Sequence, residues 1–252
     1  MSSAECVRLG VDASGVAEIV IHRPERHNAM TRDMYDALLA RLDACARNPG
    51  VRSVLFKGAG GKAFISGTDI AHFKDFREGR EGIAYEPLVL QVIDRVERIV
   101  VPTIAVVDGW AVGGGLALAT ACDFRICSEK SRFGAPIAKT LSNTLSSRNI
   151  ARLQAALGVP RVKRMLLLAD DLTAHEALAC GYVHAACASD ELDDAAHTLA
   201  QRLMALSPVT HKAVKESIRR IVVEQRLDDD DLIEEVYGSQ AFRDGVAAFI
   251  GR

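Results

Sequence analysis

Short apolar strands followed by glycine-rich turns recur along this chain, and this order constrains the fold more than any other feature. A buried strand is predicted at residues 52–57, immediately before a glycine-rich stretch. A second is predicted at residues 103–107, followed by the consecutive glycines Gly113, Gly114 and Gly115 and a helix over residues 114–121. Alternation of strand, turn and helix is typical of a layered α/β core.

The first fifty residues predict a hairpin followed by a helix. Residues 7–11 and 17–21 alternate around Ser14 and Gly15, as the strands of a hairpin do. Apolar side chains then recur at helical spacing, and the run Asn-Pro-Gly at residues 48–50 ends that helix. The apolar positions of this helix are Met34, Leu38, Leu42 and Cys45.

The remainder of the chain divides near residue 190. A polar segment at residues 71–82 is expected to be the most mobile part of the core, and a helix is predicted at 87–100. Beyond a short strand at 182–186 the pattern is helical only. We therefore predict a core over residues 1–190 and a C-terminal helical region over residues 191–252, whose helices bury themselves against another subunit.

Composition excludes several classes of function. The net charge is −2 and the pI is near 6.4, so the chain lacks the basic field that binds nucleic acid or an acidic membrane. The N-terminus has no secretion signal, and no apolar run reaches the length of a membrane span. The six cysteines are scattered without metal-ligand spacing, which indicates free thiols and a cytoplasmic protein.

Two glycine-containing turns are the segments of the sequence that indicate a binding or catalytic site. They are residues 63–70 (AFISGTDI) and residues 108–116 (DGWAVGGGL), and each follows a strand. Where a helix begins, successive backbone N–H groups have no intrahelical partner, and glycine lets a ligand approach them closely. Two such turns could direct two N–H donors at one oxygen and form an oxyanion hole. The alternative is that these glycines only permit tight packing.

A dinucleotide-binding motif is a weaker alternative. Residues 58–63 match G-x-G-x-x-A after a strand, but that motif should open a helix directly, and here an apolar segment broken by Gly67 follows. A Walker phosphate loop is excluded because Ala63 follows Lys62, and no G-x-S-x-G elbow is present. A nicotinamide-dependent oxidoreductase is therefore a distant third hypothesis.

Nearly the whole chain resembles the enoyl-CoA hydratase/isomerase, or crotonase, superfamily. The order and spacing of seven segments are specific for this superfamily, although no single segment is. The segments are residues 21–30 (IHRPERHNAM), 63–70 (AFISGTDI), 101–115 (VPTIAVVDGWAVGGG), 122–127 (CDFRIC), 133–136 (FGAP), 172–178 (LTAHEAL) and 245–249 (GVAAF). The resemblance implies an α/β fold made of a spiral of ββα repeats, with a C-terminal helical region that builds homotrimers, often paired into hexamers.

The resemblance also implies which residues form the site. The two oxyanion-hole donors would be the backbone N–H groups of Thr68 and Gly114. The coenzyme A segment would include Arg26, Ala63, Ser66 and Asp69. Arg26 would contact a coenzyme phosphate, and the backbone at Ala63 and Ser66 would contact the adenine. For Arg26 an exposed loop cation is the equally weighted alternative. No cofactor is implied beyond the coenzyme A moiety of the substrate, and no metal.

The chain departs from the family at the two glutamates that hydratases use. The first position is occupied by Ala117, and the second, after the proline of F-G-x-P, by Ile137 and Ala138. General acid–base catalysis contributes about 10²–10⁴ per group, so we predict a poor hydratase of simple enoyl-CoA thioesters. Ordinary one-glutamate isomerisation is disfavoured for the same reason, and the sequence does not identify the proton-transfer residue.

The segment that replaces the second glutamate is rich in small polar residues. Asn143, with Ser142 and Thr144, could position water or a substrate carboxylate, and Asn143 is the tentative catalytic candidate. The favoured alternative is that these residues cap a helix beginning near Leu145. Further candidates are Lys139 or Arg148 for an acidic acyl tail and His72 as a base, although a surface role for His72 is preferred.

The leading hypothesis is therefore an acyl-CoA enzyme that stabilises a thioester oxyanion. Hydrolysis, decarboxylation and retro-aldol or retro-Claisen cleavage all pass through such an oxyanion. The alternative is a non-catalytic acyl-CoA binding or assembly protein.

Overall fold

The computed structural model describes residues 5–251. Its strands are β1 (Val7–Val11), β2 (Val16–Ile21), β3 (Ser53–Gly58), β4 (Ala63–Ile65), β5 (Thr103–Val107), β6 (Trp110–Val112), β7 (Phe124–Ser128), β8 (Arg132–Gly134), β9 (Leu172–Thr173) and β10 (Ala185–Cys187). Its α-helices are α1 (Arg32–Arg47), α2 (Gly79–Glu97), α3 (Gly114–Ala121), α4 (Ser147–Leu157), α5 (Val159–Leu167), α6 (Ala174–Ala179), α7 (Leu192–Met204), α8 (Pro208–Arg219), α9 (Asp230–Tyr237) and α10 (Gln240–Ile250).

The larger sheet has six strands in the order β1-β2-β3-β5-β7-β10. Only β1 and β2 pair antiparallel, and the other neighbours pair parallel. Alternate residues of these strands enter two separate apolar clusters, because successive side chains point to opposite faces. One face packs against α1, α2 and α3, and the other is covered by α7. Burial on both faces is typical of parallel sheets.

The smaller sheet has the order β4-β6-β8-β9 and was not predicted from the sequence. Its strands are two or three residues long, too short for a periodic pattern. β4, β6 and β8 pair parallel, and β9 is antiparallel to β8. Since β4 precedes one glycine turn and β6 precedes the other, their pairing brings the two turns side by side.

Several predicted elements are confirmed. The hairpin is present, α3 has the predicted bounds, and the four predicted apolar positions of α1 are all buried. Thr31 caps α1, and Ser207 is the cap of α8, with Pro208 as its first residue. The α/β fold is confirmed, whereas the division into two regions at residue 190 stays a prediction.

Two predicted boundaries are wrong. Helix α2 begins at Gly79 rather than at Pro87, because Glu78 and Glu81 form a reciprocal capping box and Pro87 lies inside the helix. β10 begins at Ala185 rather than at Tyr182, since the N–H groups of Tyr182 and the next residue close α6 by bonding to the Ala177 carbonyl. No helix within residues 5–251 is both long and apolar enough to cross a membrane.

The aspartates before and within the first turn of α9 are not all solvated charges. The Asp231 carboxylate forms a bidentate ion pair with the buried guanidinium of Arg220. The Nη1–Oδ1 and Nη2–Oδ2 distances are both 2.6 Å. Asp230 and Asp231 both lie in the first turn of α9, where negative charge is favourable to the helix dipole.

Candidate active site

Gly114 presents an unpaired backbone N–H at the start of α3. It is the first residue of that helix, so its N–H has no intrahelical acceptor. The N–H of the preceding Gly113 is bonded to the Gly134 carbonyl at 3.0 Å, and the Gly113 carbonyl accepts from Ala117 at 3.0 Å. Within residues 5–251 the Gly114 N–H donates to no protein acceptor. A donor is therefore left available where the helix dipole is positive.

Thr68 presents a second N–H of this kind. Its neighbours form a parallel bridge with Met30: the Met30 N–H donates to the Gly67 carbonyl at 2.8 Å, and the Asp69 N–H donates to the Met30 carbonyl at 2.9 Å. In such a bridge the central residue directs its own N–H away from the partner strand. In the described part of the chain the Thr68 N–H has no acceptor.

The two turns touch through their main chains. A Cβ built on Gly114 would lie 3.8 Å from the Gly67 Cα, and one on Gly67 would lie 3.7 Å from the Gly114 nitrogen. Gly67 has φ +99° and Gly113 has φ +54°, conformations that favour glycine. Gly115 serves packing instead, because a Cβ there would lie 2.0 Å from the Ile65 carbonyl oxygen. The packing interpretation therefore applies at Gly115, and the oxyanion-hole interpretation of the two turns stays a prediction.

Three hydroxyl groups form a chain beside these donors. The Thr68 Oγ1 lies 2.8 Å from the Tyr35 hydroxyl and 2.5 Å from the Tyr85 hydroxyl. The Tyr35 hydroxyl would lie 3.0 Å from a Cβ on Gly114, so the chain begins next to the second donor. Burial raises the pKa of both phenols, and the nearby Glu86 carboxylate adds to the rise. Both tyrosines are therefore neutral hydrogen-bonding groups at neutral pH.

Glu86 is a half-buried carboxyl group on α2, next in the chain to Tyr85. The Ser146 hydroxyl accepts the Asn149 N–H at 3.4 Å as the cap of α4. Burial raises the pKa of Glu86. Further along the same two helices, the buried Arg152 pairs with Asp94 and Glu97. Arg152 thus joins α4 to the C-terminal part of α2.

The four predicted coenzyme-contacting residues lie around a buried asparagine. Asn28 accepts from the Arg23 N–H at 2.9 Å and donates to the carbonyls of Ala59 at 2.9 Å and Ala63 at 2.7 Å. The Ser66 N–H donates to the carbonyl of His27, the residue before Asn28, at 3.2 Å. Sequence reasoning missed Asn28, although its position in the matching segment 21–30 was a usable signal.

Asp69 is paired with Arg23 rather than with Arg26. The Arg23 guanidinium contacts the Asp69 carboxylate at 2.7 Å, and the Ala71 N–H donates to the same carboxylate at 3.1 Å. These hydrogen bonds lower the pKa of Asp69, and the positive charge of Arg26 adds to the effect. Arg26 itself is exposed, so it is free to meet a phosphate or to remain a loop cation.

The two positions that the resemblance assigns to the family's glutamates hold apolar residues. Ala117 is buried in α3, Ile137 is half-buried and Ala138 is exposed. A nearby carboxyl belongs to Asp171, whose oxygen would lie 2.2 Å from a Cβ on Gly134. Burial raises the pKa of Asp171, whereas the charges of Arg132 and Lys139 oppose the rise.

The capping alternative is confirmed for the polar segment at Ser146, but not for the three residues singled out within the segment. Asn143, Ser142 and Thr144 are exposed, and the cap of α4 is Ser146. Among the described residues no hydrogen bond involves the Asn143 side chain, so its catalytic role stays a prediction. Arg148 contacts Asp94 at 3.2 Å, which already balances its charge.

His72 is not the surface histidine that was preferred. Its half-buried ring lies 5.2 Å from the Tyr85 ring and packs edge-on to Phe73 and Phe76. A cavity of about 600 Å³ lies elsewhere, between α8 and the ends of α3 and α4, and includes none of the residues named as candidate site groups.

The comparisons with known proteins agree on one family. The family model described as "Enoyl-CoA hydratase/isomerase" matches residues 12–252. A short-chain-enoyl-CoA hydratase from Clostridium acetobutylicum is 30% identical over 239 residues, covering 93% of this chain and 91% of that protein. A crotonyl-CoA hydratase from Syntrophomonas wolfei is 29% identical over 241 residues, covering 93% and 91%.

Solved structures agree at the level of the fold. An enoyl-CoA hydratase/isomerase family protein from Hyphomonas neptunium superposes with a TM-score of 0.88 at 30% identity, covering 100% of this chain and 97% of that one. An enoyl-CoA hydratase/carnithine racemase from Magnetospirillum magneticum gives 0.87 at 28% identity, covering 98% and 92%. These matches define a protein of the crotonase fold class. The chain belongs to the enoyl-CoA hydratase/isomerase family of acyl-CoA-processing enzymes.

Proposed function

We propose that this protein binds an acyl-CoA thioester and holds its carbonyl oxygen with the N–H groups of Thr68 and Gly114. The observation that carries this proposal is that both N–H groups are unpaired and lie on turns in main-chain contact. Such donors stabilise the negative charge that develops on the oxygen when the thioester becomes an enolate. Removing one donor of this kind costs about 10²–10³ in rate.

The coenzyme part of the substrate is proposed to lie against Arg26, Ala63, Ser66 and Asp69. Arg26 is the exposed cation of this group and would meet a phosphate, while the main chain at Ala63 and Ser66 would meet the adenine. The Asn28 hydrogen bonds support this assignment, because they hold the two main-chain segments in one arrangement before any ligand binds.

We further propose that the protein is a poor hydratase of crotonyl-CoA. Hydration needs one group to activate water and another to deliver a proton, and the two positions that supply these groups in the family hold Ala117 and Ile137. The names of the relatives, short-chain-enoyl-CoA hydratase and crotonyl-CoA hydratase, support a thioester substrate. The relatives' names carry no information about the two carboxyl groups that this chain lacks.

The test is loss of the enoyl-thioester absorbance of crotonyl-CoA, with the Clostridium acetobutylicum hydratase as the positive control. Binding of butyryl-CoA is measured in parallel by calorimetry. We expect butyryl-CoA to bind and hydration to be slower than the control by at least about 10², the contribution of a single acid–base group. Hydration at the control rate would contradict the poor-hydratase proposal, and absence of thioester binding would contradict the proposed site.

A further inference from the structure

The hydroxyl groups of Tyr35, Thr68 and Tyr85 carry one proton more than the two hydrogen bonds between them use. The Thr68 Oγ1 lies 2.8 Å from the Tyr35 hydroxyl and 2.5 Å from the Tyr85 hydroxyl, and each of these bonds takes one proton. The third proton can bind an acceptor outside the three residues. Because hydroxyl protons rotate to suit their surroundings, that acceptor decides which residue presents the third proton.

The Tyr35 hydroxyl lies close to the N–H donor of Gly114. A Cβ on Gly114 would lie 3.0 Å from the Tyr35 hydroxyl, and a Cβ is about 2.5 Å from the nitrogen of its own residue. The Tyr35 oxygen and the Gly114 nitrogen are therefore at most about 5.5 Å apart. An N–H donor and an O–H donor can share one oxygen at normal hydrogen-bond lengths when they are no more than about 5.6 Å apart. The distance between the two groups thus permits one substrate oxygen to accept from both.

Burial distinguishes Tyr35 from Tyr85. Tyr35 is 3% exposed, so water has little access to its hydroxyl, whereas Tyr85 on α2 is half-buried. Burial raises the pKa of both phenols, and both therefore keep their protons at neutral pH. Hydrogen bonds to a charge are stronger where water is excluded. A negative charge forming next to Gly114 would therefore draw the third proton to the Tyr35 end.

We propose that the Tyr35 hydroxyl donates a third hydrogen bond to the thioester oxygen, beside the N–H groups of Thr68 and Gly114. As charge develops on this oxygen, Tyr85 donates to Thr68, Thr68 donates to Tyr35, and Tyr35 donates to the oxygen. Thr68, through its hydroxyl, and Tyr85 are positioning residues for Tyr35. The three hydroxyls keep their own protons, so the step breaks no covalent bond and needs no co-reactant. The proposal rests on the proposed thioester site and adds a side-chain donor to it.

Tyr182 provides a matched control for Tyr35. Its hydroxyl lies 2.8 Å from the Thr120 hydroxyl, which is the distance between the Tyr35 and Thr68 hydroxyls, and the residue is 1% exposed. Thr120 is near the C-terminal end of α3, whereas Gly114 begins that helix. Tyr182→Phe therefore removes the same kind of buried tyrosine–threonine bond as Tyr35→Phe, but away from the oxyanion donors. A purely structural loss should affect both variants alike.

The experiment measures how strongly each variant stabilises the enolate of bound acetoacetyl-CoA, a ligand that ionises without an enzyme base. The enolate absorbance is followed against pH for wild type, Y35F, Y85F and Y182F, and gives the pKa of the bound ligand. We expect Y35F to raise this pKa by about 1–2, the contribution of one hydrogen bond to a charged group. Y85F should raise it by less, because Thr68 can still donate to Tyr35. Y182F should give the wild-type value.

The outcomes separate this proposal from the one on which it rests. A ligand pKa in Y35F equal to that in wild type, or an equal rise in Y182F, overturns the role of Tyr35 while the thioester site stands. Wild type that does not bind acetoacetyl-CoA, or that binds it without lowering its pKa below that of the free ligand, contradicts both proposals.

A second measurement decides the question if Y35F does not fold. Wild type is labelled with 3-fluorotyrosine, in which the fluorine makes the phenol more acidic and therefore a stronger hydrogen-bond donor. We expect the pKa of bound acetoacetyl-CoA to be lower in the labelled protein than in the unlabelled protein. An unchanged or higher ligand pKa would overturn the role of Tyr35.

Discussion

In the proposed thioester site, Thr68 would combine two tasks that are separable in the structure. Its main-chain N–H is free because its neighbours make the bridge to Met30, while its hydroxyl bonds to Tyr35 and Tyr85. The side-chain bonds restrain the turn and so hold the main-chain donor in place before any ligand binds. Donors held in advance need no reorganisation when charge develops on the substrate oxygen.

The second donor can be removed with little change in shape. Proline is favoured at the first position of a helix and lacks an N–H, so Gly114→Pro deletes the donor where the helix tolerates it. Gly114→Ala is the control, since both variants place a Cβ 3.0 Å from the Tyr35 hydroxyl. The measurement is the rate of deuterium uptake at the α carbon of butyryl-CoA in D₂O. We expect this rate to be lower in G114P than in G114A by about 10²–10³. Equal loss in both would show that the Cβ, not the N–H, is responsible.

At the scale of elements, the C-terminal helices are joined by a network of buried arginines. α8 continues into a π-helical turn at Arg220–Glu224, and Arg219 and Arg220 are only 6% and 7% exposed. Glu216 contacts both arginines, at 2.8 and 3.0 Å, while Glu224 and Asp231 supply further partners. Buried guanidinium groups need such partners, because an unpaired buried charge is costly.

Glu216→Gln tests this network. We expect the free energy of unfolding at neutral pH to fall by about 1–2 kcal/mol, since a hydrogen-bonded charge pair is lost but each arginine keeps another partner. The bonds from Arg219 lower the folded-state pKa of Glu216 to about 2, from 4.5. Its stabilisation is therefore complete above pH 4.5 and is lost as the pH falls towards 2. Denaturation curves are measured from pH 6 to 2.5 for wild type and E216Q. The difference between their free energies of unfolding should shrink as the pH falls below 4.5. Glu235→Gln, in an exposed pair with Lys212, should change little.

At the scale of the whole molecule, the C-terminal helices expose an unusual amount of apolar surface. The exposed residues are Val214, Ile218, Ile221, Ile233, Tyr237, Phe242, Val246, Phe249 and Ile250. Phe249 and Ile250 are 79% and 78% exposed. Exposed apolar side chains that cluster, as Phe242, Val246, Phe249 and Ile250 do around one surface pocket, are typical of an interface. The prediction of a homotrimer, or of two paired trimers, follows from this surface and from the resemblance.

The assembly prediction is checked by light scattering. We expect a mass of three or six times 27.2 kDa for the wild type. Replacing Phe249 and Ile250 together by aspartate should reduce the mass towards the monomer, because the charges would have to be buried in the interface. Val11→Asp, at an exposed position of β1, is the control and should keep the assembly. A monomeric wild type would contradict the prediction.

The sequence by itself determined the elements whose signals are local. The hairpin, α1 and α3 follow from periodicity, capping residues and glycines, and the positions that lack the family's glutamates are visible without a structure. The start of α2 was missed because Pro87 resembles a first helical residue, while the capping pair Glu78 and Glu81 precedes it in a polar segment.

Only the tertiary structure decided which residues meet at the site. Thr68 and Gly114 are far apart in the chain, and they adjoin because β4 pairs with β6 in a sheet too short to predict. Tyr35 and Tyr85 carry no local motif, since a tyrosine on a helix is ordinary until its neighbours are known. Contacts of this kind depend on the packing of α1 and α2 around the two turns, and no local pattern records that packing.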